Sequence, residues 1–293
     1  LARILFWVLV YLGRPFGGIR PRRMTHWLAK VAFQNERPGP SDYCWYRDKY
    51  GSEFALHPHF FVDRHVIAFG AYDEVVNDYI DKHIEEGMVC FDIGSNIGIM
   101  SLNLARKVGA KGAVYCFEPV PHLFQKLEAN VRRNNKLGTI RLSEIALSDQ
   151  SGRRQMPIAN EFYENQGMGS LVDSEHTKLV DSIEIETKKL DEFVEQQKIE
   201  RLDFMKVDIQ GAEPLMLAGA TDTLKRFKPE LLMEISPEDL AGLQWDGPRL
   251  LRYLGELGYS FFEIGPEGKI LAPIDPATMP ADYSSGAILG RAT

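Results

Sequence analysis

Met88-Val89-Cys90-Phe91-Asp92-Ile93-Gly94-Ser95-Asn96-Ile97-Gly98 decides how this chain folds. From Met88 to Ile93 the run is apolar apart from one acid near its end, the pattern of a strand buried on both faces. Gly94 and Gly98 then allow a tight turn and a close approach to the main chain, after which Ile97, Met100, Leu104 and Val108 return at helical spacing. A strand, a glycine turn and a helix whose first N–H groups are free make a loop of the nucleotide-binding type. It is not the dinucleotide fingerprint G-x-G-x-x-G, because the glycines are spaced G-x-x-x-G and Asp92 stands two residues before the first. An acid at that strand end repels a pyrophosphate and attracts an ammonium group.

Downstream the same alternation continues. Ala113 to Phe117 reads as a strand, Val120 to Asn134 as a helix and Thr139 to Leu147 as extended. Leu202 to Val207 and Glu230 to Ile235 are apolar strands separated by a helical segment from Glu213 to Phe227, and Tyr259 to Ile264 with Lys269 to Ala272 closes the sheet as a hairpin. Strands alternating with helices predict an α/β fold, a parallel sheet covered on both faces. Between these blocks Asn160 to Ser182, rich in Asn, Gly, Ser and charge, reads as a long loop over the C-terminal edge of the sheet, where substrate contacts tend to lie. Upstream, Tyr43 to Phe69 reads as hairpins with turns at Lys49-Tyr50-Gly51 and Val62-Asp63-Arg64, and Asp73 to Glu86 as a helix stopped by Gly87. The organisation expected is a basic apolar segment over 1–40, a hairpin and helix extension over 41–86, and the main domain over 87–293.

The chain has 293 residues, 44% hydrophobic and 26% charged, which places it among globular proteins and outside the disordered class. Its net charge of −7 argues against a protein devoted to nucleic acid. That total hides an asymmetry. Residues 1–40 hold seven Lys or Arg against Glu36, a balance of +6 that leaves −13 for the rest. Ile4 to Leu12 is apolar and too short to span a bilayer, which needs about 20 residues. With its flanking arginines it suits an interfacial helix on anionic lipid, which makes residues 1–23 a candidate peripheral membrane contact, against the commoner alternative of a short apolar helix packed on the body. The chain begins with Leu1 and not Met, which leaves room for a signal or membrane segment upstream. Cys44, Cys90 and Cys116 are too few and too scattered for a disulfide framework or zinc site, and reduced thiols in a cytoplasmic setting are expected.

A second chemical element stands at the tip of the second strand, Phe117-Glu118-Pro119, with Glu118 twenty-four residues after Gly94. An acid there can accept both hydroxyls of a ribose, with Pro119 flanking an adenine. Together with Asp92 this points to a small nucleoside ligand. S-adenosylmethionine fits, since it carries an ammonium for Asp92 and a carboxylate for the helix N-terminus near Asn96 to Gly98.

On these residues the sequence resembles the FkbM-type methyltransferases over about Tyr72 to Ile264. The resemblance is carried by Phe91 to Gly98, Phe117-Glu118-Pro119, Ala146-Leu147-Ser148-Asp149, Asn165 to Leu171 with Gly169-Ser170, Lys206-Val207-Asp208-Ile209-Gln210-Gly211-Ala212-Glu213, and Met233-Glu234-Ile235. It implies a class I methyltransferase fold, a Rossmann-like doubly wound sheet of seven strands whose last runs antiparallel. It also implies S-adenosylmethionine as cofactor, bound by Asp92, Gly94, Asn96, Gly98, Glu118, Pro119, Ala146 and Asp208, and a hydroxyl of a glycan or a polyketide-like product as acceptor. The family pattern often has an acid where Gln210 stands.

Methyl transfer from a sulfonium is an in-line displacement, so the acceptor oxygen must be held near the methyl and its proton removed. Asp208 at the fourth strand tip, Glu213 at the following helix start and Glu234 at the end of the next strand are the candidate catalytic residues; any is a candidate base, or two could hold a divalent cation. Asp208 has an alternative role in orienting cofactor and Glu213 in favouring its helix N-terminus. Among seven histidines, His122 and His176 are weaker candidates and most read as surface or packing residues. Two other functional classes stand against the methyltransferase. A nicotinamide oxidoreductase is disfavoured by the glycine spacing and Asp92, and a non-catalytic scaffold by the intact Asp92, Glu118 and Asp208 set.

Overall fold

The computed structural model describes residues 2–13, 27–28, 31–33, 42–136, 138–159 and 179–292. His176, the Asn165 to Leu171 block and most of the basic N-terminal segment lie outside the described residues. The chain divides into two compact units, whose described residues are those up to Asp73 in the first and those from Glu74 onward in the second.

In the first unit, helix α1 (Ala2–Gly13) buries Phe6 and Val10 and exposes Ile4, Leu5 and Val8. Strands β1 (Cys44–Arg47) and β2 (Glu53–Leu56) pair antiparallel about the turn at Lys49 to Gly51. The second hairpin expected over Val62 to Arg64 is instead helix α2 (Phe61–Phe69). Asp63, Val66 and Ile67 recur at helical spacing and are buried, and the Asp63 carboxylate accepts the His57 backbone N–H at 2.8 Å. Gly70, left-handed at φ 79°, ends the helix by donating to the Val66 carbonyl. Val62-Asp63-Arg64 contains nothing that breaks a helix, so the aromatic alternation was a misleading signal.

The second unit opens with helix α3 (Glu74–His83) and runs through β3 (Val89–Ile93), α4 (Ile99–Val108), β4 (Ala113–Phe117), α5 (Pro121–Arg133) and β5 (Ile140–Ser143). Next come β6 (Ala146–Leu147), β7 (Gly152–Ala159), β8 (Leu179–Lys188), α6 (Leu190–Gln196) and β9 (Phe204–Val207). The remainder is α7 (Glu213–Ala218), α8 (Thr221–Phe227), β10 (Glu230–Ile235), α9 (Pro237–Leu240), α10 (Gly247–Glu256), β11 (Tyr259–Gly265), β12 (Lys269–Ile274) and β13 (Ser285–Ala292).

The large sheet has the order β12-β11-β13-β10-β9-β3-β4-β5. Strands β5, β4, β3, β9 and β10 are mutually parallel, and β13 runs antiparallel between β10 and β11. This is the expected seven-stranded class I methyltransferase arrangement with its last strand reversed. An eighth strand, β12, extends the edge beside β11. The hairpin expected at the end of the chain is present, and β13 inserts between it and the rest of the sheet.

Alternation of side chains gives each sheet face its own task. Phe91, Ile93, Met205, Val207, Leu231 and Met233 belong to one cluster with Leu190, Phe193, Leu224 and Leu250 from the covering helices. Phe193 meets Phe117 edge to face at 4.9 Å. Each such fully buried side chain contributes about 1.5–3 kcal/mol. Cys90 and Asp92 point the other way, beneath α4, which packs on β3 and β4. Two further features depart from what the sequence pattern predicts. The segment Glu213 to Phe227 is two helices broken at Gly219-Ala220, and β6, β8 and β7 form a separate three-stranded sheet.

Candidate functional site

The turn after β3 owes its shape to three left-handed residues, Gly94 (φ 81°), Asn96 (φ 49°) and Gly98 (φ 91°). A Cβ on Gly94 would overlap the backbone oxygen of Asp208, so glycine there is what lets the ends of β3 and β9 come together. Ser95 locks the turn: its hydroxyl donates to the Asp92 carbonyl at 2.7 Å and accepts the Phe117 N–H at 3.1 Å. The Gly94 and Ser95 N–H groups both donate to the Phe117 carbonyl at 3.0 Å. The tips of β3, β4 and β9 are thereby bound into one edge.

Glu118 follows β4 and is 4% exposed. Its Oε2 accepts the Asn96 N–H at 2.8 Å and its Oε1 the Val120 N–H at 3.0 Å. Burial pushes the carboxyl up to about 7 even though these two N–H groups pull it down. Each oxygen retains a second lone pair for a ligand hydroxyl. Pro119 is half-buried beside it, and Ala146, the first residue of β6, is buried and paired with Thr187.

Asp92 is fully buried, where its Oδ2 accepts the Ser101 hydroxyl at 2.5 Å and its Oδ1 stands 3.9 Å from the Lys206 ammonium. Burial raises its pKa against the pull of Lys206 and Ser101. Lys206 lies directly across the ladder from Asp92 and is itself buried, and its Nζ reaches Asp208 Oδ2 at 3.1 Å. Gln210, left-handed at φ 53°, donates its amide to Asp208 Oδ1 at 2.9 Å, and the Asp208 and Glu234 side chains are also hydrogen-bonded. Burial alone would raise Asp208, but the Lys206 charge with these hydrogen bonds holds it below the ordinary carboxylate range.

Glu213 is 4% exposed and turns back to accept the Ile209 N–H at 3.1 Å, bracing the loop that carries Asp208. Burial pushes it up to about 7. The structure therefore gathers Asp92 and Asp208 around Lys206, sets Glu234 beside Asp208 and Glu118 on the neighbouring tip, and places Glu213 behind the loop. His122 is exposed in the first turn of α5. Among the described residues no group of three or more His, Cys, Asp or Glu side chains is placed to hold a metal ion. The sequence signal for Lys206 and Gln210 is the K-x-D-x-Q alternation, which puts all three side chains near one strand end.

The chain matches the methyltransferase FkbM domain family over residues 92–261, more than half its length. It is 28% identical over 198 residues to the 2-O-methyltransferase NoeI of Sinorhizobium fredii, covering 62% of this chain and 78% of that one. With the 31-O-demethyl-FK506 methyltransferase FkbM of Streptomyces tacrolimicus it shares 26% identity, covering 52% and 68%. The hexuronic acid methyltransferase AglP of Haloferax volcanii is 30% identical, covering 55% and 63%. With the strand order and the Asp92 and Glu118 tips already in place, this match leads to one conclusion: the chain belongs to the FkbM family of methyltransferases.

Proposed function

We propose that this protein moves the methyl group of S-adenosylmethionine to a hydroxyl oxygen of a sugar or glycan, or of a polyketide-like product. One observation carries the reading: Asp92, Glu118 and Asp208 stand at the tips of three adjacent parallel strands around a glycine turn. Glu118 takes the ribose hydroxyls, the Asn96 to Gly98 turn the cofactor carboxylate, and Pro119 and Ala146 flank the adenine. The ionised Asp208 faces the acceptor. Relatives named for 2-O-methylation, for a hexuronic acid and for 31-O-demethyl-FK506 support an oxygen acceptor.

During transfer the acceptor oxygen forms a bond to the methyl carbon as the carbon–sulfur bond breaks, and the sulfonium becomes a neutral thioether. The hydroxyl proton grows strongly acidic as the new bond forms, so a weak but fully ionised base such as Asp208 suffices to take it. No cation is required for this step, because Lys206 already supplies a positive charge beside Asp208. Turnover is expected to survive EDTA. The basic, apolar N-terminal segment supports a finer reading of the setting: a protein at the cytoplasmic face of a membrane, near a lipid-linked acceptor, with α1 on the bilayer. No helix among the described residues is long and apolar enough to cross one.

The test is calorimetric titration of the full chain with S-adenosylmethionine, S-adenosylhomocysteine and NAD, followed by tritiated-methyl transfer to a panel of uronic-acid glycosides. Micromolar binding of the two adenosyl ligands and label in an alkali-stable ether are expected. Binding of NAD alone, or of none of the three, would overturn the reading.

A further inference from the structure

Lys206 is buried and sits between two carboxylates from different elements, with Asp92 on β3 at 3.9 Å and Asp208 after β9 at 3.1 Å. An ammonium group is costly to bury unless such partners compensate it, and the same holds for each acid. The arrangement is built by register. Asp92 and Lys206 face each other across the β3–β9 ladder, and Asp208 returns to the same side two residues later. Gln210 completes it from the loop: an amide can donate to Asp208 Oδ1, as it does here at 2.9 Å, whereas an ionised acid at that position could not. The titratable groups facing this centre among the described residues are Asp92 from β3, Glu118 after β4, Asp208 after β9, Glu213 from α7, Glu234 from β10 and Asp239 from α9.

We propose that Lys206 is the resident cation of the site, a positioning residue whose ammonium is shared between Asp92 on the cofactor side and Asp208 on the acceptor side. It fixes the Asp208 carboxylate toward the acceptor hydroxyl and keeps it ionised, the electrostatic task that a bound metal performs elsewhere. The lysine keeps its proton throughout. The acceptor proton goes to Asp208 while the electron pair of the broken carbon–sulfur bond stays on sulfur. Sulfonium with carboxylate and thioether with carboxylic acid have the same net charge, so Lys206 sees Asp208 neutralised only as the cofactor's own charge vanishes. This assignment rests on the methyltransferase reading.

The experiment follows the Asp208 carboxyl directly. Full-length protein labelled with 13C at the aspartate side-chain carboxyl is titrated by NMR, the Asp208 resonance being the one lost in Asp208→Asn. In the wild type it should titrate below the ordinary aspartate range. In Lys206→Met it should move up by about one to three pH units, and Lys206→Arg should restore most of the shift. The acid limb of the turnover profile should move with it. An Asp208 titration unchanged in Lys206→Met would overturn the proposal. If Lys206→Met does not fold, a wild-type Asp208 that titrates above the ordinary range overturns it as well. Wild-type protein that binds no S-adenosylmethionine would instead overturn the reading of function.

Discussion

Glu118 and Glu213 are both nearly excluded from water, and each has a carboxyl pushed up from 4.5 to about 7 by burial. A carboxyl raised on folding contributes stability that is complete below its unfolded pKa of 4.5 and is lost as pH rises through 7. Gln at 213 keeps an oxygen for the Ile209 N–H but carries no charge to bury. Glu213→Gln is therefore expected to match the wild type near pH 4.5 and to exceed it at pH 8 by roughly 3 kcal/mol, read by urea unfolding at the two pH values. Equal stability at both would refute burial as the cause. Glu118 has the same shift with a functional consequence, since a ribose diol donates to the ionised carboxylate. S-adenosylhomocysteine should bind more tightly at pH 8 than at pH 6 and release a proton on binding, seen as a buffer-dependent enthalpy, and Glu118→Gln should abolish both effects. The acids themselves were legible, because a strand tip beside a glycine turn is a local pattern. The contact of Lys206 with Asp92 was not, because it depends on which strand lies beside β3, and that pairing joins residues more than a hundred positions apart.

At the scale of elements, the strands with uniform apolar character were legible almost to the residue, Ala113–Phe117 and Glu230–Ile235 among them. Elements with mixed patterns were not. Strand β7 carries Arg153, Arg154 and Gln155 and is held by the antiparallel ladder to β8, so its own sequence shows little alternation. Strand β13, Ser285 to Ala292, is short of large apolar residues at both ends and gains its place from β10 and β11 on either side. The break between α7 and α8 has a steric origin. A Cβ on Gly219 would overlap the backbone oxygen of Ser148, and the Gly219 carbonyl accepts the Asp191 N–H at 3.0 Å. A continuous helix from 213 to 227 would lose this junction with the Ser148 and Lys189 segments. Gly219→Ala should cost about 2–4 kcal/mol in urea unfolding, well beyond the usual small gain from replacing a glycine in a helix. A stabilised variant would show that the break is incidental.

For the whole molecule, the +6 balance of residues 1–40 against −13 for the rest separates a basic segment from an acidic body. Helix α1 sharpens this contrast, with Phe6 and Val10 buried on one side and Ile4, Leu5 and Val8 exposed at 65%, 43% and 43%. Exposed large apolar side chains spaced i, i+1 and i+4 form a face suited to the headgroup boundary, and the basic composition of residues 1–40 adds attraction to anionic lipid. Sedimentation with phosphatidylserine-containing vesicles should carry the protein down, and the bound fraction should fall as salt shortens the Debye length. Replacing Ile4, Leu5 and Val8 together by serine removes roughly 1 kcal/mol of burial per side chain, which predicts a loss on the order of 100-fold in vesicle affinity. Methyl transfer to a water-soluble acceptor should be unchanged in the same variant, because Asp92, Glu118 and Asp208 all belong to the other unit. Wild-type protein that stays in the supernatant at low salt would instead assign the exposed face to a protein contact, and the lipid-linked acceptor would lose its support.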